Sequence, residues 1–321
     1  MTAFIFEGLF FDFTAFILTA LCGTKVLIYS DTPNILSDDS LGLIISNHRC
    51  RVDWMYVGWF YAAITKSSDY LKIILKDALR YVPIFGWAAQ ILMFVFLERK
   101  KERDLPHIKQ ATSYLLHADK RVVMLIFPEG TDLSQKNLAK SREFSTEKGL
   151  REYKQVLYPK PAGFLATVKP LRNQKLSIHD LTVAYKGYTT QKRPNEKDFL
   201  FGIFPSEVHI LVRRHEIDSI LDERNKMENW LHLSFLQKEE ELLQFESTGK
   251  LCEDSMLVPY KHSYMNGARG MMLCIVSLSL LLVFSAWFRW LCAIYVVICV
   301  AMRAFNGFDS GSATCCVLVN I

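Results

Sequence analysis

Residues 41–64 read LGLIISNHRCRVDWMYVGWFYAAI. The first six, LGLIIS, are a short apolar run of the kind that forms a strand buried on both faces. The stretch from Ser46 to Ile64 reads as the helix that follows it. Between them sit Asn47, His48, Arg49, Cys50 and Arg51, a polar cluster in an apolar neighbourhood, with Asp53 close behind. Similar apolar runs recur at 93–97 (MFVFL), 121–127 (RVVMLIF), 181–185 (LTVAY) and 208–212 (VHILV). Helical spacing lies between them, as in RDLPHIKQATSYLLH (103–117). Alternation of this kind predicts an α/β fold, a mixed sheet flanked by helices. Residues 219–246 read as a charged amphipathic helix whose charges form a solvated face, suited to rest on lipid headgroups.

On a regular helix, residues five apart lie about 140° around the axis from one another, at about 100° per residue. His48 and Asp53 therefore meet only if His48 is in the turn and Asp53 in the first turns of the helix. A carboxylate so placed accepts the imidazole N–H, fixes its tautomer and leaves the other nitrogen to take a proton. The same residues also suit a simple helix cap, and spacing alone leaves both readings open. A second stretch, VVMLIFPEGTDL, runs from a strand into a turn in which Pro128 ends the strand and Gly130 permits tight reversal. Glu129 is thereby presented at the sheet edge, where α/β proteins build sites.

Taken together and in this order, the two stretches resemble the glycerolipid acyltransferase family, which includes lysophosphatidic acid acyltransferases. The family's first block, N-H-x-x-x-x-D, corresponds to Asn47, His48 and Asp53, and its third, F-P-E-G-T, to Phe127 through Thr131. Its second, a Phe-rich strand ending in a basic residue, is similar to FGWAAQILMFVFLERK, with Gly86, Phe96 and Arg99. The fourth is similar to DLTVAY (180–185), with Val183 where many members have proline. That departure, KSREFSTEKGL (140–150) and ILKDALRYVPIFGW (74–87) resemble the lysocardiolipin acyltransferase subgroup most.

The resemblance implies an acyl-CoA donor as co-substrate, no further cofactor, and a lysophospholipid acceptor of lysophosphatidic acid, lysocardiolipin or lysophosphatidylinositol type. It implies His48 as general base and Asp53 as its orienting partner. Asn47, Arg99, Glu129, Gly130 and Thr131 would line the substrate site, Glu129 by binding a glycerol hydroxyl or holding an arginine. Lys76 and Arg142 are candidate headgroup contacts, with Arg80 adding positive field. Arg142 is the expected substitute where Asp132 replaces the arginine that many members carry after the Glu-Gly-Thr. Rival readings are a glycerol-3-phosphate acyltransferase, a hydrolase and a catalytically silent membrane-binding protein.

The 321 residues are 50% hydrophobic with a net charge of +5 and a mean hydropathy of +0.13. Such a chain suits anionic lipid surfaces and substrates. It shows neither the basic helix nor the zinc spacing of a nucleic-acid binder, and its histidines show no metal-ligand spacing. The eight cysteines are scattered without C-x-x-C and read as reduced, buried side chains. Residues 271–288 carry no charge and are long enough for one membrane span. Arg289 then predicts a break, giving either a hairpin or one span with an interfacial piece. The first basic residue, Lys25, and Lys261 and Arg269 before the apolar run place the central domain on the cytosolic face. The expected organisation is a membrane anchor or interfacial segment (1–30), the catalytic domain (31–195), its extension (196–262) and a transmembrane region (270–303). The expected location is the endoplasmic reticulum membrane or a mitochondria-associated membrane. Oligomeric state has no signature in the sequence.

Overall fold

The computed structural model describes residues 10–31, 35, 41–65, 70–82, 85–118, 122–171, 177–194, 198–199, 201–216, 224–252, 255–260 and 265–304. These fall into two units divided between Ala268 and Arg269. Residues 1–9 of the expected anchor, Arg121 of the third predicted strand, the 195/196 boundary, and the first residues of the predicted 219–246 helix lie outside the described residues.

The first unit is built on an eight-stranded mixed sheet. Its strands are β1 (Lys25–Ser30), β2 (Leu41–Ser46), β3 (Leu71–Lys76), β4 (Val95–Leu97), β5 (Val123–Ile126), β6 (Ser177–Tyr185), β7 (Glu207–Glu216) and β8 (Met256–Leu257). Their order across the sheet is β4-β3-β5-β2-β6-β7-β1-β8. The five strands from β4 to β6 run parallel. Strand β7 turns back antiparallel to β6, β1 runs with β7, and β8 is antiparallel to β1. Strands β7 and β8, from beyond the expected domain boundary, thus complete the same sheet.

The parallel strands are covered on both sides, and successive side chains serve opposite faces. Ile44, Val123 and Leu125 join one core with Tyr56, Trp59 and Phe60 of helix α2 (Asp53–Thr65). Leu43, Ile45, Met124 and Ile126 join the other. There they meet Leu115 of α4 (Lys101–Ala118), Phe164 and Val168 of α6 (Pro161–Leu171), and Leu231 and Phe235 of α7 (Arg224–Thr248). The short helix α3 (Phe85–Ile91) precedes β4, and α5 (Gln135–Glu147) follows the turn after β5. Helix α1 (Phe10–Leu21) buries Phe11, Ala15 and Leu18 in the first core. Gly58 lets it approach, since a Cβ there would lie 2.4 Å from the Phe11 ring.

All five predicted strands are present, the first with the bounds expected and the other four with shifted ends. Strands β1 and β3 were not predicted: KVLIYS falls within the stretch assigned to the expected anchor, and LKIILK places Lys72 inside the run. The charges of α7 correct the sequence reading more sharply, for several of them are buried. Lys238, Glu239 and Glu241 are 0%, 1% and 7% exposed. Lys238 pairs with Asp180 and donates to the Leu181 carbonyl at 2.7 Å. Glu241 pairs with Arg213 and accepts from the Thr182 hydroxyl at 2.7 Å. The inner face of this helix is part apolar, through Leu231 and Phe235, and part charged, where it docks on β6 and β7 through ion pairs and hydrogen bonds.

Helix α8 (Met265–Phe284), most of which belongs to the second unit, gives way to α9 (Ala286–Ala304) at Ser285, four residues before the expected break. Ser285 caps α9 by accepting the Phe288 N–H at 3.1 Å. Arg289 reaches back to the Leu282 and Val283 carbonyls at 3.0 and 3.1 Å, two of the orphan acceptors ending α8. Residues Gly267–Phe284 are long and apolar enough to cross a membrane.

Candidate active site

The carboxyl ends of β4, β3, β5, β2 and β6 share one edge of the sheet, and the sequence-predicted residues lie along it. His48 occupies the turn after β2. Its Nδ1 is 2.9 Å from Asp53 Oδ2. The spacing of five works because α2 begins between the two residues. Asp53 folds its carboxylate back over the helix start and accepts the Cys50 N–H at 2.9 Å on the oxygen that meets the imidazole. Its other oxygen accepts the Tyr185 hydroxyl at 2.5 Å and the Cys50 thiol at 3.0 Å. Asp53 is completely buried. Burial, reinforced by the Asp53 charge, holds the Tyr185 phenol and the Cys50 thiol well above their ordinary pKa values, so both remain donors.

A carboxylate at Nδ1 leaves Nε2 as the basic nitrogen. Among the described residues Nε2 has no hydrogen-bond partner, and the side chain is 18% exposed. Phe127 stacks on the imidazole with ring centroids 4.3 Å apart. The ring is therefore held on one edge by Asp53 and on one face by an aromatic plate.

Glu129 holds the backbone that carries this ring. One oxygen accepts the His48 N–H at 2.7 Å and the other the Leu157 N–H at 2.9 Å. Burial pushes its carboxyl up to about 8, against the lowering by those N–H groups and by the Arg49 charge. Arg49 is itself buried and donates to Gln155 Oε1 at 3.3 Å. Asn47 likewise acts on main chain. Its Oδ1 accepts the Val183 N–H at 2.8 Å and its Nδ2 donates to the Val183 carbonyl at 3.0 Å. The side-chain amide thus extends the β2–β6 ladder by one step, and the Val183 N–H it uses is one that a proline would lack. Asn47 and Glu129 were expected to line the substrate site; in this structure their side-chain oxygens are taken by main-chain N–H groups.

Gly130 has φ +74°, open to glycine at little cost. A Cβ at Gly130 would lie 3.5 Å from the Lys160 ammonium, which overhangs the turn. Thr131 Oγ1 accepts from Asn137 at 3.1 Å, tying the turn to the start of α5. Asp132 pairs with Arg193 at 2.5 Å and with Arg51 at 4.0 Å. Burial raises the Asp132 carboxyl, but Arg193, His48 and Arg51 outweigh it and hold the group below its ordinary value.

Arg99 and Lys76 are both exposed, at the ends of β4 and β3. β4 stands three strands from β2, about 14 Å away at ~4.8 Å per strand. Arg99 sits at φ +67° just past its strand. Arg142 is exposed on α5; the arginines that meet Asp132 are Arg193 and Arg51. Tyr185, Lys160 and Arg193 were not singled out from sequence, although Tyr185 closes the quoted DLTVAY.

This geometry can be set beside known proteins. The Acyltransferase family model matches residues 29–185, and the Acyltransferase C-terminus model matches 198–277. The chain belongs to the acyltransferase family. It is 37% identical over 231 residues to "Lysocardiolipin acyltransferase 1" of Mus musculus, covering 71% of this chain and 60% of that protein. It is 34% identical over 238 residues to "Lysophosphatidylinositol acyltransferase 10" of Caenorhabditis elegans, covering 72% and 59%. The solved 1-acyl-sn-glycerophosphate (LPA) acyltransferase PlsC from Thermotoga maritima aligns with TM-score 0.47 and 13% identity over 74% of this chain and 78% of that one. The chain spans about 60% of the length of the first two lysocardiolipin relatives. Within this acyltransferase, Phe at Tyr185 tests the buried network. One hydrogen bond to Asp53 would be lost, about 1.5 kcal/mol for a charged acceptor. Turnover should fall roughly tenfold with both KM values unchanged in initial-rate assays. An unchanged kcat would show that Tyr185 only packs.

Proposed function

We propose that this acyltransferase moves a fatty acyl group from acyl-CoA to the free hydroxyl of a lysophospholipid. The observation that carries the reading is the His48 Nδ1–Asp53 contact at 2.9 Å, with Nε2 unpartnered among the described residues at the strand edge. Nε2 would accept the proton of the acceptor hydroxyl as its oxygen attacks the thioester carbonyl. The C–O bond forms and the C–S bond breaks. The proton held by the imidazolium then passes to the departing CoA thiolate. Asp53 would stabilise the transient imidazolium without taking the proton. The lysocardiolipin and lysophosphatidylinositol named in the relatives' titles are the acceptor headgroups to try first.

The deciding experiment supplies labelled oleoyl-CoA to membranes containing the protein. The acceptors are lysophosphatidic acid, lysocardiolipin, lysophosphatidylinositol and glycerol 3-phosphate. Labelled phospholipid from one of the lysolipids is the expected product. Free fatty acid without acylated lipid would identify a hydrolase, and neither product would sink the catalytic reading.

We also read Gly267–Phe284 as a membrane span that keeps the catalytic unit at the cytosolic face of the endoplasmic reticulum. Its 18 residues have a mean hydropathy of 2.0, and Phe284, Val283 and Leu273 are exposed, which water disfavours in a run of this size. The protein should stay in the pellet after alkaline carbonate extraction, and ending the chain at Asn266 should release most of it. Complete extraction of the full-length protein would remove the span.

A further inference from the structure

Arg193 occupies an unusual position for a surface arginine. Its Nη1 donates to Asp132 Oδ2 at 2.5 Å and to the Arg49 carbonyl at 3.3 Å. One nitrogen therefore clamps two turns together: the one after β5 that carries Glu129, and the one after β2 that carries His48. The link is short on the His48 side, because Arg49 is the next residue and the Leu133 N–H donates to the His48 carbonyl at 2.7 Å. With Nη1 committed to these two acceptors, the guanidinium keeps its Nε and Nη2 donors. Among the described residues these have no partner, and the side chain is 27% exposed. Asp132 is 14% exposed and faces Arg51 with its other oxygen.

Arg193 thus meets its two acceptors with Nη1 alone, and its Nε–Nη2 edge has no partner among the described residues. A purely structural ion pair gives no reason for that open edge. An anion arriving at the site does, since a guanidinium fixed along one edge presents the other as a fork that matches two phosphate oxygens.

We propose that Arg193, aimed by Asp132, binds a phosphate ester of the substrate next to the reacting hydroxyl. The proposal rests on the acyl-transfer reading above and assigns its acceptor-recognition residue. Of the two phosphate-bearing substrates, the acceptor fits this position. Its phosphate ester lies on the same glycerol unit as the hydroxyl that His48 would deprotonate. The phosphates of CoA lie a whole pantetheine arm away from the thioester. Asp132 is a positioning residue: it touches no substrate and spends its charge on the orientation of Arg193.

The test uses full-length protein in membranes, with Arg193→Ala and Arg193→Lys, and varies lysophosphatidic acid and oleoyl-CoA separately. Loss of the charge-assisted fork should raise the acceptor KM by roughly 10–100-fold for Arg193→Ala, with the oleoyl-CoA KM within about twofold. Arg193→Lys keeps the ion pair with Asp132 but not the fork, and should recover only part of the loss. A rise in the oleoyl-CoA KM instead would assign Arg193 to the donor's phosphates and overturn the proposal. Unchanged KM values for both substrates would overturn it too, leaving a structural clamp. A readout independent of turnover is thermal protection of the detergent-solubilised protein by lysophosphatidic acid. It should be seen in the wild type and in Arg193→Lys more weakly, and be lost in Arg193→Ala. Protection lost with the arginine in a protein that shows no acyl transfer would uphold the phosphate site and reject the proposed reaction. Equal protection of wild type and Arg193→Ala would reject the phosphate site, whatever the activity.

Discussion

His48→Ala is expected to lower kcat by roughly 10²–10⁴, the usual worth of a positioned general base, and Asp53→Asn to be comparably severe. The structure explains why the aspartate matters so much. Its two oxygens receive the imidazole, the Cys50 N–H, the Tyr185 hydroxyl and the Cys50 thiol. An amide in its place would turn an N–H₂ group toward at least one of these donors, in a site with no access to water. The imidazole would lose both its orientation and the charge that stabilises its protonated form. The losses should not add. Once His48 is gone Asp53 has nothing left to orient, so the double variant should resemble His48→Ala alone. Initial rates under saturating substrates, normalised to folded protein in the membrane, make the comparison. Additive losses in well-folded protein would mean that the two residues act separately, and the pair would have to be abandoned as a catalytic unit.

The His48–Asp53 arrangement was legible in the sequence because it is local. Five residues, one helix start and the backward reach of a first-turn carboxylate settle it. The parallel core was legible for a similar reason, since strands buried on both faces print as unbroken apolar runs. Strand β3 escaped because Lys72 sits inside it, fully buried with its ammonium donating to the Leu92 carbonyl at 3.0 Å. The charges of α7 were misread because a buried ion pair and a solvated charge look alike in one dimension. Their partners lie far along the chain: Asp180 and Thr182 for Lys238 and Glu241, and residues 154–156 for Glu239. Arg193 is of the same kind, 61 residues from Asp132 and within a polar stretch without period. Asn47 and Glu129 were found as residues, yet their function as acceptors for main-chain N–H groups needed the strands and turns around them.

Those main-chain contacts lead to the largest stability effect expected outside the catalytic pair. Four consecutive N–H groups, Lys154 to Leu157, are taken by two glutamate side chains. Glu239 of α7 accepts from Lys154, Gln155 and Val156 at 2.7, 2.7 and 3.1 Å. Glu129 accepts from Leu157 at 2.9 Å and from His48 at 2.7 Å. The segment thus hangs between α7 and the catalytic turn, and Glu129 passes its position on to His48. Glu239→Ala strands three donors, two of them buried, at about 1–3 kcal/mol each before relaxation. A net loss of about 3–5 kcal/mol follows, the usual cost of breaking a buried charged network. At roughly 2–4 °C per kcal/mol, the midpoint of the detergent-solubilised protein should fall by about 6–20 °C. Its neighbour supplies the control: Glu240 is 57% exposed and, among the described residues, pairs only with the surface Arg151, so Glu240→Ala should stay within about 0.5 kcal/mol. Equal midpoints for the two variants would restore the solvated-face reading of this helix. Glu129→Gln should add a pH signature. Its folded-state value of about 8 lies above the ordinary 4.5, so the folded protein holds a proton that the unfolded chain has released. The stability from this group is full below about 4.5 and declines as pH rises toward 8. The glutamine variant should flatten that decline. A wild-type midpoint that does not fall across this window relative to Glu129→Gln would mean that Glu129 is charged in the folded protein.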